Sequence, residues 1–137
     1  MAEKNPYNHY KETQIMTASP GKLIVLLYEG AVRFINAAIN ALDEKKLDVC
    51  NNSLIRTQDI ITELALSINF EAGELASKMY SLYMFFNKQL LEANIKKDRA
   101  LMVEVRDMIA EILESWRQVA DRPVPGQRSG GGLNVSG

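Results

Sequence analysis

Few residues of this 137-residue chain are of the types that carry out catalysis. His9 is its only histidine, so the paired histidines of a zinc site and a Glu-x-x-His motif on a bundle helix are both absent. Cys50 is its only cysteine, and its spacing from apolar neighbours places it on the inner row of a helix, where a free thiol behaves as a small hydrophobe. We therefore expect no metal, no cofactor and no catalytic residue.

The glycines and carboxylates give no stronger indication of an enzyme. The run from Ser129 to Gly132 follows no predicted strand and precedes no Lys-Ser or Lys-Thr pair, so it does not match a phosphate-binding loop. The carboxylates are spread along predicted helices among lysines and arginines, which is typical of a solvated face. The sequence favours a protein that binds over one that catalyses.

Apolar and aromatic side chains are the groups that could bind a partner. The run from Leu23 to Tyr28 is apolar or aromatic throughout and covers every side of a helix, because successive helical residues are about 100° apart. One stripe facing a core needs an arc only about that wide. A later helix has a similar surplus outside its main apolar row, formed by Tyr80, Tyr83, Met84, Phe85 and Leu91. Such apolar surface is typical of a partner site, although composition alone favours the core for the aromatic residues.

The body of the chain is predicted to be helical. No proline occurs between Pro20 and Pro123, and apolar residues recur there every three or four positions. The predicted helices run from Pro20 to about Leu42, from about Leu47 to Leu66, from about Glu74 to Asn94, and from a cap at Asp98 to about Asp121. Helices of this length with short turns predict an all-α fold, an antiparallel up-down four-helix bundle with an additional N-terminal segment or short helix.

Each predicted helix has an inner row of residues at helical spacing. The rows are Ile24, Leu27, Ala31, Phe34, Ala38 and Leu42; then Leu47, Cys50, Leu54, Thr57, Ile61, Leu64 and Ile68; then Leu75, Met79, Leu82, Phe86, Leu90 and Ala93; and last Leu101, Val105, Met108, Ile112 and Trp116, with Val103 and Ile109 at the flanks. The steps of three and four residues are those of a bundle seam.

The two ends differ from this body. Residues 1–17 are predicted to be a flap, because Asn5-Pro6 discourages a long helix while Tyr7, Tyr10 and Ile15 give the segment adhesive side chains. Residues 18–121 form the predicted bundle domain. Residues 122–137 are predicted to be a flexible tail, since they combine two prolines with a Ser-Gly-Gly-Gly stretch.

Charge and hydropathy restrict the partners and the compartment. The 16 Lys and Arg residues nearly balance the 17 Asp and Glu residues, so no net field directs the protein to nucleic acid or to an anionic membrane. The longest purely apolar run is far shorter than the roughly 18 to 20 residues that cross a bilayer, and no signal-peptide pattern is found. We expect a cytosolic protein without nucleic-acid binding or stable membrane insertion.

Short motifs along the chain occur in an order that resembles the flagellar export chaperone FliS family. They are Asn5-Pro6-Tyr7, Tyr10, Thr17-Ala18-Ser19-Pro20-Gly21-Lys22-Leu23-Ile24, Leu27-Tyr28-Glu29-Gly30-Ala31, Gly73-Glu74-Leu75-Ala76, Leu82-Tyr83, Leu90-Leu91-Glu92-Ala93-Asn94, Asp98, Glu104-Val105 and Trp116. The resemblance covers about residues 5–120. It departs at Glu29-Gly30, where the family often has Asp-Gly, and at Ala72-Gly73, where the family often has two glycines.

The resemblance implies a cytosolic chaperone without catalysis. Such a chaperone binds the C-terminal segment of flagellin, prevents premature polymerisation, and assists export by the flagellar type III system, with the export gate as a further partner when cargo is bound. The alternative is a structural bundle that oligomerises through its extra apolar faces. We expect the partner to contact Tyr7, Tyr10 and Ile15 of the flap, Leu23, Leu26, Leu27 and Tyr28 of the first helix, and Tyr80, Tyr83 and Leu91 of the third.

Overall fold

Four α-helices make up nearly all of the chain that the structure describes. A computed structural model describes residues 20–120. The helices are α1 (Pro20–Asp43), α2 (Leu47–Leu66), α3 (Glu74–Lys96) and α4 (Arg99–Ala120), with a short 3₁₀ helix at Phe70–Ala72 between α2 and α3. The all-α prediction and the four helices are confirmed. The whole predicted flap, including Tyr7, Tyr10 and Ile15, and the predicted tail lie outside the described residues.

The helices pack in a ring. Helix α1 contacts α2 and α4, and α3 contacts the same two helices, so α1 and α3 lie diagonally across the bundle. The contacts between α1 and α4 pair the end of one helix with the start of the other. Asp43 at the end of α1 pairs with Arg99 at the start of α4, and Gly21 near the start of α1 lies beside Ala120 at the end of α4. The two helices are therefore antiparallel, as expected for neighbours in an up-down bundle.

Helices α2 and α3 are also antiparallel. The Asn94 side-chain amide donates a hydrogen bond to Asn51 Oδ1 near the start of α2, and the Asn87 amide donates one to Thr62 Oγ1 near its end. Short turns connect all four helices, which leaves each helix beside the one that follows it.

Local backbone preferences set these turns. Lys45 and Lys97 adopt the left-handed conformation after α1 and α3, with φ of 61° and 49°. Asp98 caps α4 as predicted, since its Oδ1 accepts a hydrogen bond from the Leu101 amide at 3.1 Å. Gly73 precedes α3 with φ 93° and ψ −146°, a region that only glycine adopts readily.

The predicted inner row is nearly correct for α2 and partly wrong for α1. Residues Cys50 to Leu64 of the α2 row are buried as predicted, whereas Leu47 at its start is exposed. In α1, Phe34 is only half-buried and lies outside the core, and its neighbour Ile35 is fully buried instead. Phe34 packs between two guanidinium groups, with Arg33 and Arg56 each within 6 Å of its ring.

The predicted inner row of α3 is correct for Phe86, Leu90 and Ala93 and wrong at its start, whereas the row of α4 is shifted by one position apart from Val105. Leu75 of α3 is 69% exposed, while Ala76 and Tyr83 are buried. In α4 the core residues include Met102 and Ile109, although Ile109 was predicted to lie at the flank. These helices carry apolar residues over much of their circumference, so two adjacent rows satisfy the same periodicity. Only the packing of neighbouring helices selects one row.

Helix α1 is long and apolar enough to cross a membrane when judged by length and composition alone. The short length of the longest uninterrupted apolar run did not indicate that a helix could meet this criterion. The core helix of a bundle passes the same test, and α1 contributes Tyr28, Ala31, Ile35 and Ala38 to the core between α2 and α4. We therefore attribute its apolar character to packing within the bundle.

Candidate partner-binding site

Two of the predicted contact residues, Tyr28 and Tyr83, meet in the core. Their hydroxyl oxygens are 2.7 Å apart, within hydrogen-bond distance, and the side chains are 0% and 3% exposed. Trp116 of α4 stacks on Tyr28 with the ring centroids 6.5 Å apart. Burial raises the pKa of both phenols above the ordinary value, which keeps the hydroxyl groups protonated. The pair joins the diagonal helices α1 and α3, and neither side chain offers surface to a partner in this structure.

The other predicted contacts of α1 are half-buried. Leu27 packs against the core, whereas Leu23 and Leu26 do not belong to the core cluster. Leu23 lies two helical turns before Gly30, where an added Cβ would lie 3.1 Å from the Ile60 methyl group of α2. Leu23 therefore lies on the flank of α1 that faces α2.

The exposed apolar surface is concentrated on one side of the bundle. Apart from Val119, every exposed large apolar side chain among the described residues lies on α2, on α3 or between them. We group seven of these side chains by their helical positions and call them the α2–α3 strip. It consists of Ile55, Leu66, Phe70, Tyr80, Met84, Leu91 and Ile95.

Helical spacing aligns the α3 residues of the strip. Tyr80, Met84, Leu91 and Ile95 follow one another at intervals of four, seven and four residues, which places them along one line of α3. Asn87 lies beside this line, and its side chain reaches Thr62 of α2 at 3.0 Å. The line therefore runs along the boundary with α2.

The α2 residues of the strip lie opposite this line. Ile55 and Leu66 are separated from Thr62 by seven and four residues, so all three share one flank of α2. Between the helices, the Phe70 ring packs edge-on against Tyr80 with the centroids 5.4 Å apart. The strip thus extends from the turn after α2 to the last helical turn of α3.

Amide side chains form a polar floor beneath the strip. Asn94 donates to Asn51 at 2.9 Å, and Gln58 donates to the Asn87 backbone carbonyl at 3.4 Å. The Asn87 side-chain oxygen is shielded from solvent and accepts no hydrogen bond within the described part of the chain. These bonds hold α2 and α3 in register while the apolar side chains remain exposed above them.

Polar pairs close the opposite side of the bundle, between α1 and α4. Arg99 makes a bidentate contact with Asp43 at 2.7 and 3.0 Å, and Arg117 contacts Glu29 at 3.0 Å. The hydrogen bond from Arg99 holds the pKa of the Asp43 carboxyl below its ordinary value. This side therefore has a charged surface, in contrast to the α2–α3 strip.

Tyr80 and Leu91 are the predicted contacts that the structure brings into the strip, with 38% and 51% of each side chain exposed. The residues predicted from α1 and α3 do not line one groove, because these helices are diagonal. Sequence reasoning missed the strip residues Ile55, Leu66, Phe70 and Ile95. The signal available was the spacing of Ile55 and Leu66, which are eleven residues apart on one flank of α2 outside its inner row.

The described residues include no candidate metal site. Within residues 20–120, no group of three or more His, Cys, Asp or Glu residues is placed to bind a metal ion. Cys50 is buried, and burial raises the pKa of its thiol. The described residues define a helical bundle with one polar side and one apolar side, a class of protein that binds other protein segments.

Comparison with known proteins identifies the family. The family described as flagellar protein FliS matches residues 3–123 of this chain. A flagellar secretion chaperone FliS of Bacillus subtilis is 32% identical over 133 residues, which cover 97% of this chain and 99% of that protein. A flagellar secretion chaperone FliS of Campylobacter jejuni is 33% identical over 114 residues, covering 82% and 89%, and one of Salmonella typhimurium is 29% identical over 113 residues, covering 81% and 84%. The chain belongs to the FliS family.

Proposed function

We propose that this protein is a cytosolic chaperone that binds the C-terminal segment of flagellin, prevents its premature polymerisation and assists its export by the flagellar type III system. Membership of the FliS family and relatives named flagellar secretion chaperones support the role in flagellar export. The α2–α3 strip is the structural observation that carries the proposal. Catalysis has no part in this function.

The strip suits a segment that is amphipathic and not yet folded. An amphipathic helix that has not packed against its final neighbours exposes an apolar stripe, and a groove between helices of a bundle can cover it. Covering one large apolar side chain contributes about 1.5 to 3 kcal/mol before other terms. Ordering a disordered segment offsets part of this gain, so we expect a broad contact of modest affinity for its area.

Calorimetric titration with a peptide of the flagellin C-terminal segment tests this function. The same peptide with its apolar positions replaced by polar residues is the control. We expect binding heat and a higher melting temperature with the native peptide only. Absence of both effects with the native peptide contradicts the proposal.

Leu91→Asp tests whether the strip is the binding surface. Leu91 is half-exposed at the boundary with α2, so a charge there should weaken peptide binding by about tenfold or more while the bundle stays folded. Gln118→Glu adds the same charge on the exposed face of α4 and should leave the affinity unchanged. Equal affinities for the two variants would place the binding surface elsewhere.

A second copy of this chain is the alternative occupant of the strip. A structural bundle that oligomerises would bury the same apolar side chains against itself. Light scattering on the free protein distinguishes the two functions: a monomer supports the chaperone, whereas a stable dimer that Leu91→Asp dissociates supports the structural role.

A further inference from the structure

The α2 edge of the strip carries two acidic side chains without partners. Asp59 and Glu63 are exposed, and they lie on the outward side of the flank that holds Ile55 and Leu66. Neither makes an ion pair or a side-chain hydrogen bond within residues 20–120. The only basic residue of α2 is Arg56, which lies one helical turn before Asp59 and two turns before Glu63, but its guanidinium lies over the Phe34 ring and makes no ion pair within the described residues.

The stability of α2 does not explain this acidic pair. Asp59 and Glu63 are four residues apart, so they are neighbours on the helix surface, and like charges at this spacing destabilise a helix. Asp48 lies in the first turn, where the helix dipole favours a carboxylate, but Glu63 lies in the last turn, where the dipole disfavours it. Arg56 lies one turn before Asp59 but makes no ion pair with either carboxylate, so the repulsion is offset only in part within α2.

The α3 edge of the strip has a different charge. Lys78 and Lys96 are each paired with a glutamate one turn earlier, at 3.8 and 3.0 Å. Lys88 makes no ion pair within the described residues, and it lies between Met84 and Leu91 on the outward side of the strip. The α2 edge of the strip thus carries two carboxylates without an ion pair, and the α3 edge carries one lysine without an ion pair, within the described residues.

We propose, on the basis of the function proposed above, that the α2–α3 strip selects an amphipathic helical segment with lysine or arginine along the flank that lies over α2. Two basic residues one turn apart on that segment meet Asp59 and Glu63, and an acidic residue on its other flank meets Lys88. The apolar strip alone accepts such a helix in either direction. Charge complementarity fixes direction and register, because the reversed helix brings like charges together.

Two synthetic peptides test this preference on the full-length protein. They share one apolar stripe and one length, and they carry either lysines or glutamates at the two positions of the flank that faces α2. Calorimetry should show tighter binding of the lysine peptide by about fivefold or more at low salt, and a smaller difference at high salt. Equal binding at low salt overturns the proposal.

Variants of the α2 edge locate the effect. Asp59→Asn combined with Glu63→Gln should abolish the preference for the lysine peptide, and its melting temperature should not fall, because a like-charge repulsion is removed. Glu104→Gln combined with Glu111→Gln is the matched control: both residues are exposed on α4, and the change in net charge is the same. An equal loss of preference in the two double variants overturns the proposal in favour of a general charge effect.

The flagellin peptide separates this inference from the proposed function. If the lysine peptide binds with the stated preference while the flagellin peptide does not bind, the cargo is wrong and the charge selection stands. If the flagellin peptide binds while the α2 variants change neither its affinity nor the peptide preference, the charge selection is wrong and the cargo stands. Failure of every peptide to bind contradicts both.

Discussion

At the residue scale, the hydrogen bond between Tyr28 and Tyr83 connects α1 and α3, which lie diagonally across the bundle. Both hydroxyl groups are buried at a distance of 2.7 Å, and Trp116 packs on Tyr28 from α4. A buried hydroxyl group that loses its hydrogen-bond partner cannot bond to water instead, and this costs free energy of folding. At this level of the bundle, one hydrogen bond joins α1 to α3 and one ring contact joins α1 to α4.

Removing one hydroxyl of this pair should destabilise the fold measurably. We expect Tyr83→Phe to lower the free energy of unfolding by about 1 kcal/mol, because the Tyr28 hydroxyl is left unpaired in the core. Urea denaturation measures the change. Tyr80→Phe removes a hydroxyl from an exposed ring and should change stability by less than about 0.5 kcal/mol. Similar losses in the two variants would show that the buried pair adds no stability.

At the element scale, the start of α3 depends on the backbone of Gly73. Its φ of 93° and ψ of −146° are strained for any residue with a side chain. No heavy atom lies within 4 Å of the position that a Cβ would take, so crowding has no part in the restriction. This conformation lies immediately before the first residue of α3 and therefore contributes to the direction in which α3 leaves the turn.

Gly73→Ala should therefore be destabilising. We expect a loss of about 1 to 3 kcal/mol from backbone strain, measured by urea denaturation. Gly21→Ala is the matched control, since its new Cβ would lie 3.5 Å from the Ala120 Cβ of α4, an ordinary van der Waals contact. That change should raise stability by about 0.5 kcal/mol. A loss at Gly21 as large as at Gly73 would mean that backbone strain does not cause the effect.

At the scale of the whole molecule, the two sides of the bundle differ in chemistry. Arginine pairs lie across the α1–α4 seam, while the α2–α3 seam combines amide hydrogen bonds with exposed apolar residues. A partner segment that covers the apolar side leaves the charged side in solvent. The proposed complex can therefore remain in solution while its cargo is held.

The N-terminal segment provides a test of the complete site. We propose that Tyr7, Tyr10 and Ile15, which lie outside the described residues, contribute a flap that covers the binding surface when cargo is absent. Deleting residues 1–16 should change the affinity for the flagellin peptide and leave the helical circular dichroism of the bundle intact. Unchanged affinity would contradict the flap.

Much of the fold could be predicted from the sequence because the relevant signals are local. The start of α1 at Pro20, the bounds of α2 and the Asp98 cap depend on neighbouring residues, and all agree with the structure. The choice between Phe34 and Ile35 as a core residue does not depend on neighbours in sequence. It depends on which helices pack beside α1, and periodicity allowed both.

The candidate site was only partly predictable for the same reason. An excess of apolar residues on α3 is visible in the sequence, and it drew attention to Tyr80 and Leu91, which are exposed in the structure. The order and register of the packed helices decide the rest: Tyr83 is buried in the core, while Ile55 and Leu66 of α2 belong to the strip.

The sequence by itself determined that this chain forms four helices, that it carries more apolar surface than one core needs, and that it resembles the FliS family. Composition, periodicity and motif order contain this information, because they depend on residues near one another in the chain. Only the tertiary structure decided where the surplus lies. Side chains that face a neighbouring helix are buried by packing. The strip residues along the seam between α2 and α3 stay exposed because no other helix of the bundle packs over them.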